Sequence, residues 1–171
     1  YTSVVKSGRL FGANNLNGSP KGNVTVNIYK TVTGANNQSR TASAAYKKKE
    51  GETGYEAPTY EVAAVYGGGN LADYTTAEKK AIVNILTCDI SVESVYGGGN
   101  AAAVPATEVT VDGAYEIQYV FGGGNGKDPY TLDGGTNWTD NSGANVTGDA
   151  TTVLTGGFIH EAYGASNEKG R

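Results

Sequence analysis

Three copies of one short phrase hold the residue types most able to contact a ligand. An aromatic residue, three glycines and an asparagine follow one another at residues 66–70, 96–100 and 121–125, with looser copies at 10–15 and 162–167. Glycine-rich loops can bind phosphate through backbone N–H groups, and aromatic rings supply flat apolar faces that can stack on sugars. The phrase is also an internal repeat, which constrains the architecture before any ligand is considered.

Phosphate binding is disfavoured by the residues on the carboxyl side of each phrase. A Walker loop needs Gly-Lys-Ser/Thr ahead of a helix, and the dinucleotide fingerprint needs GxGxxG opening a helix. Here an asparagine and a loop come after the glycines in every copy. The chain carries 17 acidic and 13 basic side chains, without the basic stripe typical of nucleic-acid binders. We expect no nucleotide cofactor and no nucleic-acid partner.

Metal binding is the second chemistry to weigh. Calcium-binding nonapeptide repeats need GGxGxD, in which the aspartate supplies oxygen ligands, whereas this phrase ends in asparagine. A single Ca²⁺ near Asp133 or Asp140, with backbone carbonyls as further ligands, is the better candidate. The chain has one cysteine and one histidine, so no spacing suggests zinc. We expect no required metal or other cofactor.

Polysaccharide cleavage is the enzymatic alternative. It needs two or three carboxylates on one face of neighbouring repeats. Aligning the copies gives two mixed columns, one of Glu93, Gln118 and His160 and the next of Ser94, Tyr119 and Glu161. A solvated surface position is the plainer interpretation of His160. We therefore expect no catalytic residues, and a carbohydrate-active polysaccharide lyase or glycoside hydrolase remains the alternative.

Two short apolar runs precede the phrases and must position them. The first runs are β-branched, at residues 24–28, 82–85, 109–111 and 152–154. The second lead into the aromatic residue, at 62–66, 92–96, 117–121 and 159–163. Such runs between turn residues predict strands. Asn100 and Asn125 are 25 residues apart, and two strands with a glycine turn in that length are typical of one coil of a parallel β-helix.

We predict an all-β, right-handed parallel β-helix, or solenoid, forming a single domain over residues 1–171. It should have about four to five irregular coils, with loop insertions after the Gly-Gly-Gly-Asn turns. The right hand follows from the general preference of parallel crossovers. Since the chain starts at Tyr1 and lacks polar capping repeats, we expect a fragment that packs on neighbouring coils of a longer parent chain. No apolar run approaches the ~20 residues of a transmembrane segment.

Stacked coils place equivalent residues about 4.8 Å apart, so the asparagines should form a hydrogen-bonded structural ladder. Its predicted members are Asn70, Asn100, Asn125 and Asn167. Replacing Asn100 with alanine should cost more stability than replacing Asn70, because Asn100 has predicted neighbours on both sides. Asparagine also tolerates a left-handed backbone at a turn, and glycines avoid Cβ collisions with the next coil.

The direction of the aromatic residues depends on a bulge. The positions four residues and one residue before each ring are apolar, and both cannot face inward on a strict two-residue pleat. If a bulge lies between them and pleating resumes, the rings project outward in a column. The alternative is that they fill a corner of the core. The residues concerned are Tyr66, Tyr96, Phe121 and Tyr163.

This column and the loop carrying Tyr130 and Trp138 are the predicted ligand-binding residues, because non-repeating loops and exposed rings commonly form binding surfaces. A glycan or a host or matrix protein would be the partner. Substitutions Trp138→Ala and Tyr96→Ala should then reduce binding with little change in melting temperature.

The turns VYGGGN, VYGGGN and VFGGGN, with Gly-Gly-x-Ile ahead of Ala-Tyr-Gly-Ala-Ser-Asn, resemble the repeats of large Gly/Asn-rich surface proteins of gut Bacteroidetes. The resemblance covers residues 62–170 and is weak before Lys30. It implies a secreted or surface-attached β-helix, often adhesin-like, and carries over no catalytic residues. The expected role is a non-enzymatic extracellular structural or adhesive module.

Overall fold

The computed structural model describes residues 7–30, 52–53, 60–126 and 143–168. Within these residues the chain forms nine β-strands and no helix. The predicted all-β class with parallel strands is confirmed. The strands are β1 (Ser7–Phe11), β2 (Val24–Ile28), β3 (Val62–Tyr66), β4 (Ala81–Leu86), β5 (Ser91–Tyr96), β6 (Thr107–Gly113), β7 (Glu116–Phe121), β8 (Ala150–Leu154) and β9 (Ile159–Tyr163).

Consecutive strands alternate between two parallel sheets. A five-stranded sheet has the order β1-β3-β5-β7-β9, and a four-stranded sheet has the order β2-β4-β6-β8. Each strand therefore pairs with the equivalent strand of the adjacent repeat. The register matches equivalent residues, since Val62 pairs with Val92 and Val92 pairs with Ile117. Like residues consequently stack on like along both sheets.

The apolar core is built from columns of β-branched side chains contributed by both sheets. Burial alternates along β4, where Val83 and Ile85 are fully buried. Val92 and Ile117 from the five-stranded sheet belong to the same cluster. Burying one such side chain contributes about 1.5–3 kcal/mol, so these columns are the main source of stability.

The five-stranded sheet is interrupted once in each strand. Between Val62 and Ala64, Ala63 lies outside the paired register, and the interruption recurs at Gln118 and His160. Both partner strands skip one residue at this point, so the register is kept while the regular two-residue pleat is broken. Val62 and Val65, three residues apart, can therefore both lie in the core.

The longest connection of the first repeat lies elsewhere than predicted. Only residues 16–23 separate Asn15 from β2, whereas residues 29–61 separate β2 from β3. Later repeats follow the prediction, with residues 126–149 leading from the third turn to β8. The prediction that insertions follow the asparagine is thus wrong for the first repeat. Loop-closure cost grows slowly with length, so a long connection is tolerated at either bend.

Candidate functional site

Five aromatic rings from the five-stranded sheet stack face to face, and we call them the aromatic stack. Neighbouring ring centroids are 4.7–5.1 Å apart, with interplanar angles of 6–10°. The spacing equals that of parallel strands, because each ring stands at the same register position of its strand. The members are Phe11, Tyr66, Tyr96, Phe121 and Tyr163.

Four rings of the aromatic stack form an apolar cluster separate from the valine and isoleucine core. Its members are Phe11, Tyr66, Tyr96 and Phe121, with Ala64 and Tyr119. Its interior rings are covered by one another, since Tyr66 is 3%, Tyr96 6% and Phe121 5% exposed. Tyr163, on the edge strand β9, is 45% exposed. A sugar ring has no access to the faces of these interior rings. At the two ends of the stack, Arg9 lies over Phe11 with its guanidinium carbon 5.3 Å from the ring centroid, and Tyr163 offers an open face.

Because Tyr96 is buried, the Tyr96→Ala substitution does not test ligand binding alone. Tyr96 is stacked between Tyr66 and Phe121, and truncating a buried aromatic residue typically costs about 3–5 kcal/mol. The substitution would therefore lower the melting temperature, so it cannot separate binding from folding.

Five asparagines form a second file, which we call the asparagine ladder. Each Nδ2 donates to the Oδ1 of the preceding asparagine at 2.9–3.0 Å. The members are Asn15, Asn70, Asn100, Asn125 and Asn167. Phe11 and Asn15 were not among the predicted site residues, although the loose copy at 10–15 was the signal that could have placed them.

Because Asn15 extends the asparagine ladder, Asn70 also has a partner on each side. Asn70→Ala and Asn100→Ala should therefore cost similar stability, since each removes an asparagine bonded on both sides. Nor does a left-handed backbone account for asparagine here, because Glu78 is the one non-glycine residue with positive φ in the described part of the chain. Side-chain pairing between repeats is the reason for asparagine at this position.

The aromatic stack contacts the asparagine ladder at Tyr66. The Tyr66 hydroxyl donates to Asn100 Oδ1 at 3.4 Å. Burial is the main reason that the pKa of Tyr66 lies above its usual range, and burial likewise raises the pKa of Tyr96. Both phenols therefore stay neutral where they lie beside the asparagine amides, as expected of side chains packed between repeats.

A groove of about 530 Å³ runs beside the exposed end of the aromatic stack. Hydroxyl, amide and carboxylate groups line it together with ring edges, from Ser94, Tyr96, Tyr119, Phe121, Glu161, Tyr163, Ser166 and Asn167. The Tyr163 hydroxyl donates to the Glu161 carboxylate. That hydrogen bond is the first cause of the raised pKa of Tyr163. The groove could accept a polar ligand against one open ring.

The structure separates the acid–base candidates. Ser94, Tyr119 and Glu161 share one register column, as the alignment predicted. His160 instead turns to Glu116, with Nε2 2.8 Å from Oε1, and its ring meets the Phe158 edge. His160 is exposed on β9, as expected of a surface position, and its side chain, which is 25% exposed, also pairs with Glu116. The sequence alignment contained no signal for this contact, because Glu116 lies outside the aligned columns.

The predicted loop residues Tyr130, Asp133, Trp138 and Asp140 lie outside the described residues. Among the residues that the structure does describe, no group of three or more His, Cys, Asp or Glu side chains is arranged to hold a metal ion. The same residues include no helix long and apolar enough to cross a membrane.

Comparison of the chain with protein-family profiles, with curated proteins and with solved structures gave no significant match. Inference about function therefore rests on the aromatic stack, the asparagine ladder and the groove.

Proposed function

We propose that this chain is a non-enzymatic structural module of a secreted or cell-surface protein, built as a right-handed parallel β-helix of four to five coils. The alternation of strands between two parallel sheets supports the coil interpretation, and the general preference of parallel crossovers supports the right hand. One observation carries the proposal. The repeated aromatic, glycine and asparagine residues contact their own counterparts in adjacent repeats.

The energetics favour a scaffold over a ligand site repeated in every coil. A stacked ring pair is worth about 0.5–1.5 kcal/mol beyond its buried area, and a net hydrogen bond contributes about 0.5–1.5 kcal/mol. The described residues include four such ring pairs and four asparagine bonds. These contacts join each coil to the next. The ring faces and the asparagine amides are therefore already occupied within the protein.

The non-enzymatic role is tested with a panel of polysaccharides, by measuring new reducing ends and unsaturated lyase products. We expect no turnover above the buffer control. Turnover that is abolished by Glu161→Gln or by His160→Ala would establish the alternative, a polysaccharide lyase or glycoside hydrolase.

Adhesive binding of a glycan is a second candidate function, favoured by the groove beside Tyr163. An open aromatic face next to the Glu161 carboxylate and the Asn167 amide combines apolar contact with hydrogen-bonding groups, which is how carbohydrate sites are commonly built. A host or matrix protein could use the same surface.

A glycan array tests the groove. Tyr163→Ala should abolish binding, whereas Tyr29→Ala should not, because Tyr29 is 60% exposed and lies outside the groove. Tyr29→Ala should melt as the wild type does, and Tyr163→Ala should lower the melting temperature only slightly, because it removes one stacked pair at the exposed end. Trp138→Ala tests the loop in the same assay. If no glycan binds, the adhesive role is wrong, and the scaffold role is unaffected.

A further inference from the structure

The two ends of the sheets expose members of the stacked columns. At one end lie β8 and β9, whose side chains are mostly exposed, including Leu154 and Tyr163. At the other end lie β1 and β2, where Leu10 is exposed. Edge strands with exposed apolar side chains are templates for pairing with another chain.

All hydrogen bonds of the asparagine ladder point in the same direction, so one end of the ladder presents a donor and the other end presents an acceptor. Every bond runs from an Nδ2 donor to the Oδ1 acceptor of the preceding asparagine, from Asn70 to Asn15 through Asn167 to Asn125. The ladder thus ends on the Nδ2 side of Asn15 and on the Oδ1 side of Asn167. Another copy continuing the ladder would donate from its Asn15 to Asn167.

The backbone bonds from the first glycine of each turn are equally regular and run in the opposite direction, from each repeat to the following one. The glycine after each ring donates its N–H to the carbonyl of the next aromatic residue, as in Gly97 to Phe121 and Gly122 to Tyr163, both at 2.8–2.9 Å. Continuing this series would join the Gly164 N–H to the Phe11 carbonyl of another copy.

Charge complementarity fixes the register of such a contact. The column containing Ala64, Ser94 and Tyr119 begins at Arg9 on β1 and reaches Glu161 on β9. Both charged residues are exposed. A copy added in register on β9 would place its Arg9 directly across from Glu161, where opposite charges stabilise a strand pair.

We infer that the β8–β9 end binds the β1–β2 end of a second copy of this chain, head to tail, so that both sheets continue in register. The inference rests on the proposed stacked-coil scaffold and adds its partner. Phe11 of one copy stacks on Tyr163 of the other, with Arg9 turned from its place over the Phe11 ring to Glu161, and Ile28 packs on Leu154. The two patches differ, so the interface is heterologous and yields linear assemblies unless the rotation closes a ring.

Gly164 supplies a substitution that blocks docking and spares the fold. A Cβ at Gly122 would lie 2.5 Å from the Gly164 carbonyl oxygen, whereas no described atom lies within 4 Å of a Cβ at Gly164. In the docked assembly that Cβ would meet the Gly12 carbonyl of the second copy. Sedimentation velocity over a concentration series should show assemblies for the wild type and monomer for Gly164→Ala, at an unchanged melting temperature.

Charge reversal tests the register independently. Arg9→Glu and Glu161→Arg should each weaken association by about 3- to 10-fold, as expected for replacing an opposite-charge pair with a like-charge pair. The double variant should restore it. Lys80→Glu is the matched control, because it makes the same change in net charge as Arg9→Glu at the Lys80–Glu108 ion pair, away from both ends.

A folded wild-type monomer at every concentration up to the solubility limit would overturn the inference. The inference would also be overturned if neither Gly164→Ala nor the charge reversals changed the association, because the contact would then use another surface. Neither result involves glycan or polysaccharide, so the scaffold proposal is judged separately by the turnover assay.

Discussion

At the residue scale, the first glycine after each aromatic ring is required by the approach of the next repeat. A Cβ at Gly97 would lie 2.3 Å from the Gly122 carbonyl oxygen, and one at Gly67 would lie 2.3 Å from that of Gly97. Real Cβ atoms do not come so close to backbone, and φ is not positive at these positions. Close packing between coils, and not backbone freedom, is the reason for glycine here.

Gly97→Ala should therefore destabilise the chain by about 3 kcal/mol or more, because the clashing atom belongs to backbone that is held by both neighbouring strands. Gly164→Ala is the matched control and should change stability by at most about 0.5 kcal/mol. Chemical denaturation of the two variants measures the difference. If the Gly97→Ala and Gly164→Ala variants were equally stable, the glycine turns of neighbouring repeats could move apart without loss of stability.

At the element scale, the aromatic stack couples the strands of the five-stranded sheet on the face opposite the aliphatic core. Burial raises the pKa of Tyr66 and Tyr96, so the folded chain holds these protons more tightly than the unfolded chain, where tyrosine titrates near pH 10. The stack therefore links folding to alkaline pH.

The free energy of unfolding should be independent of these two tyrosines below about pH 10 and should fall as the pH rises above it toward their raised pKa values. Tyr66→Phe should make the decline shallower, and the additional Tyr96→Phe change should make it shallower still. Denaturant titrations at successive alkaline pH values measure the slope. An unchanged slope in the double variant would show that these phenols do not carry the pH dependence.

At the scale of the whole molecule, each repeat contacts only its neighbours, so stability should decrease from the middle to the ends. Strands β4 to β7 have neighbours on both sides and mostly buried inward residues, whereas β8 and β9 are largely exposed. The ends are also where a second copy would dock.

Hydrogen exchange followed by mass spectrometry should find the slowest amides in β4 to β7 and faster exchange in β8 and β9. Protection of β1 and β9 should rise with protein concentration if the head-to-tail contact forms, and Gly164→Ala should remove that rise. Uniform protection along the chain would contradict the graded stability.

Much of the fold was predictable because its signals are local. The two short runs of each repeat located eight of the nine strands, including β3 and β4, and the recurrence of the glycine turns indicated parallel pairing of equivalent strands. The three-residue spacing of Val62 and Val65 even required the interruption found between them. The first repeat was less predictable, because its phrase at 10–15 is degenerate and its long connection lies between β2 and β3.

The sequence by itself determined the repeat, the two strands of each repeat and the residue types placed one above another, since these follow from periodicity along the chain. Only the tertiary structure decided what those residues contact. The interior rings lie outside the aliphatic core yet are buried, because parallel strands about 4.8 Å apart place each ring over the next. His160 pairs with Glu116 of the neighbouring strand β7 for a similar reason. Distances between repeats are set by packing, which no local pattern encodes.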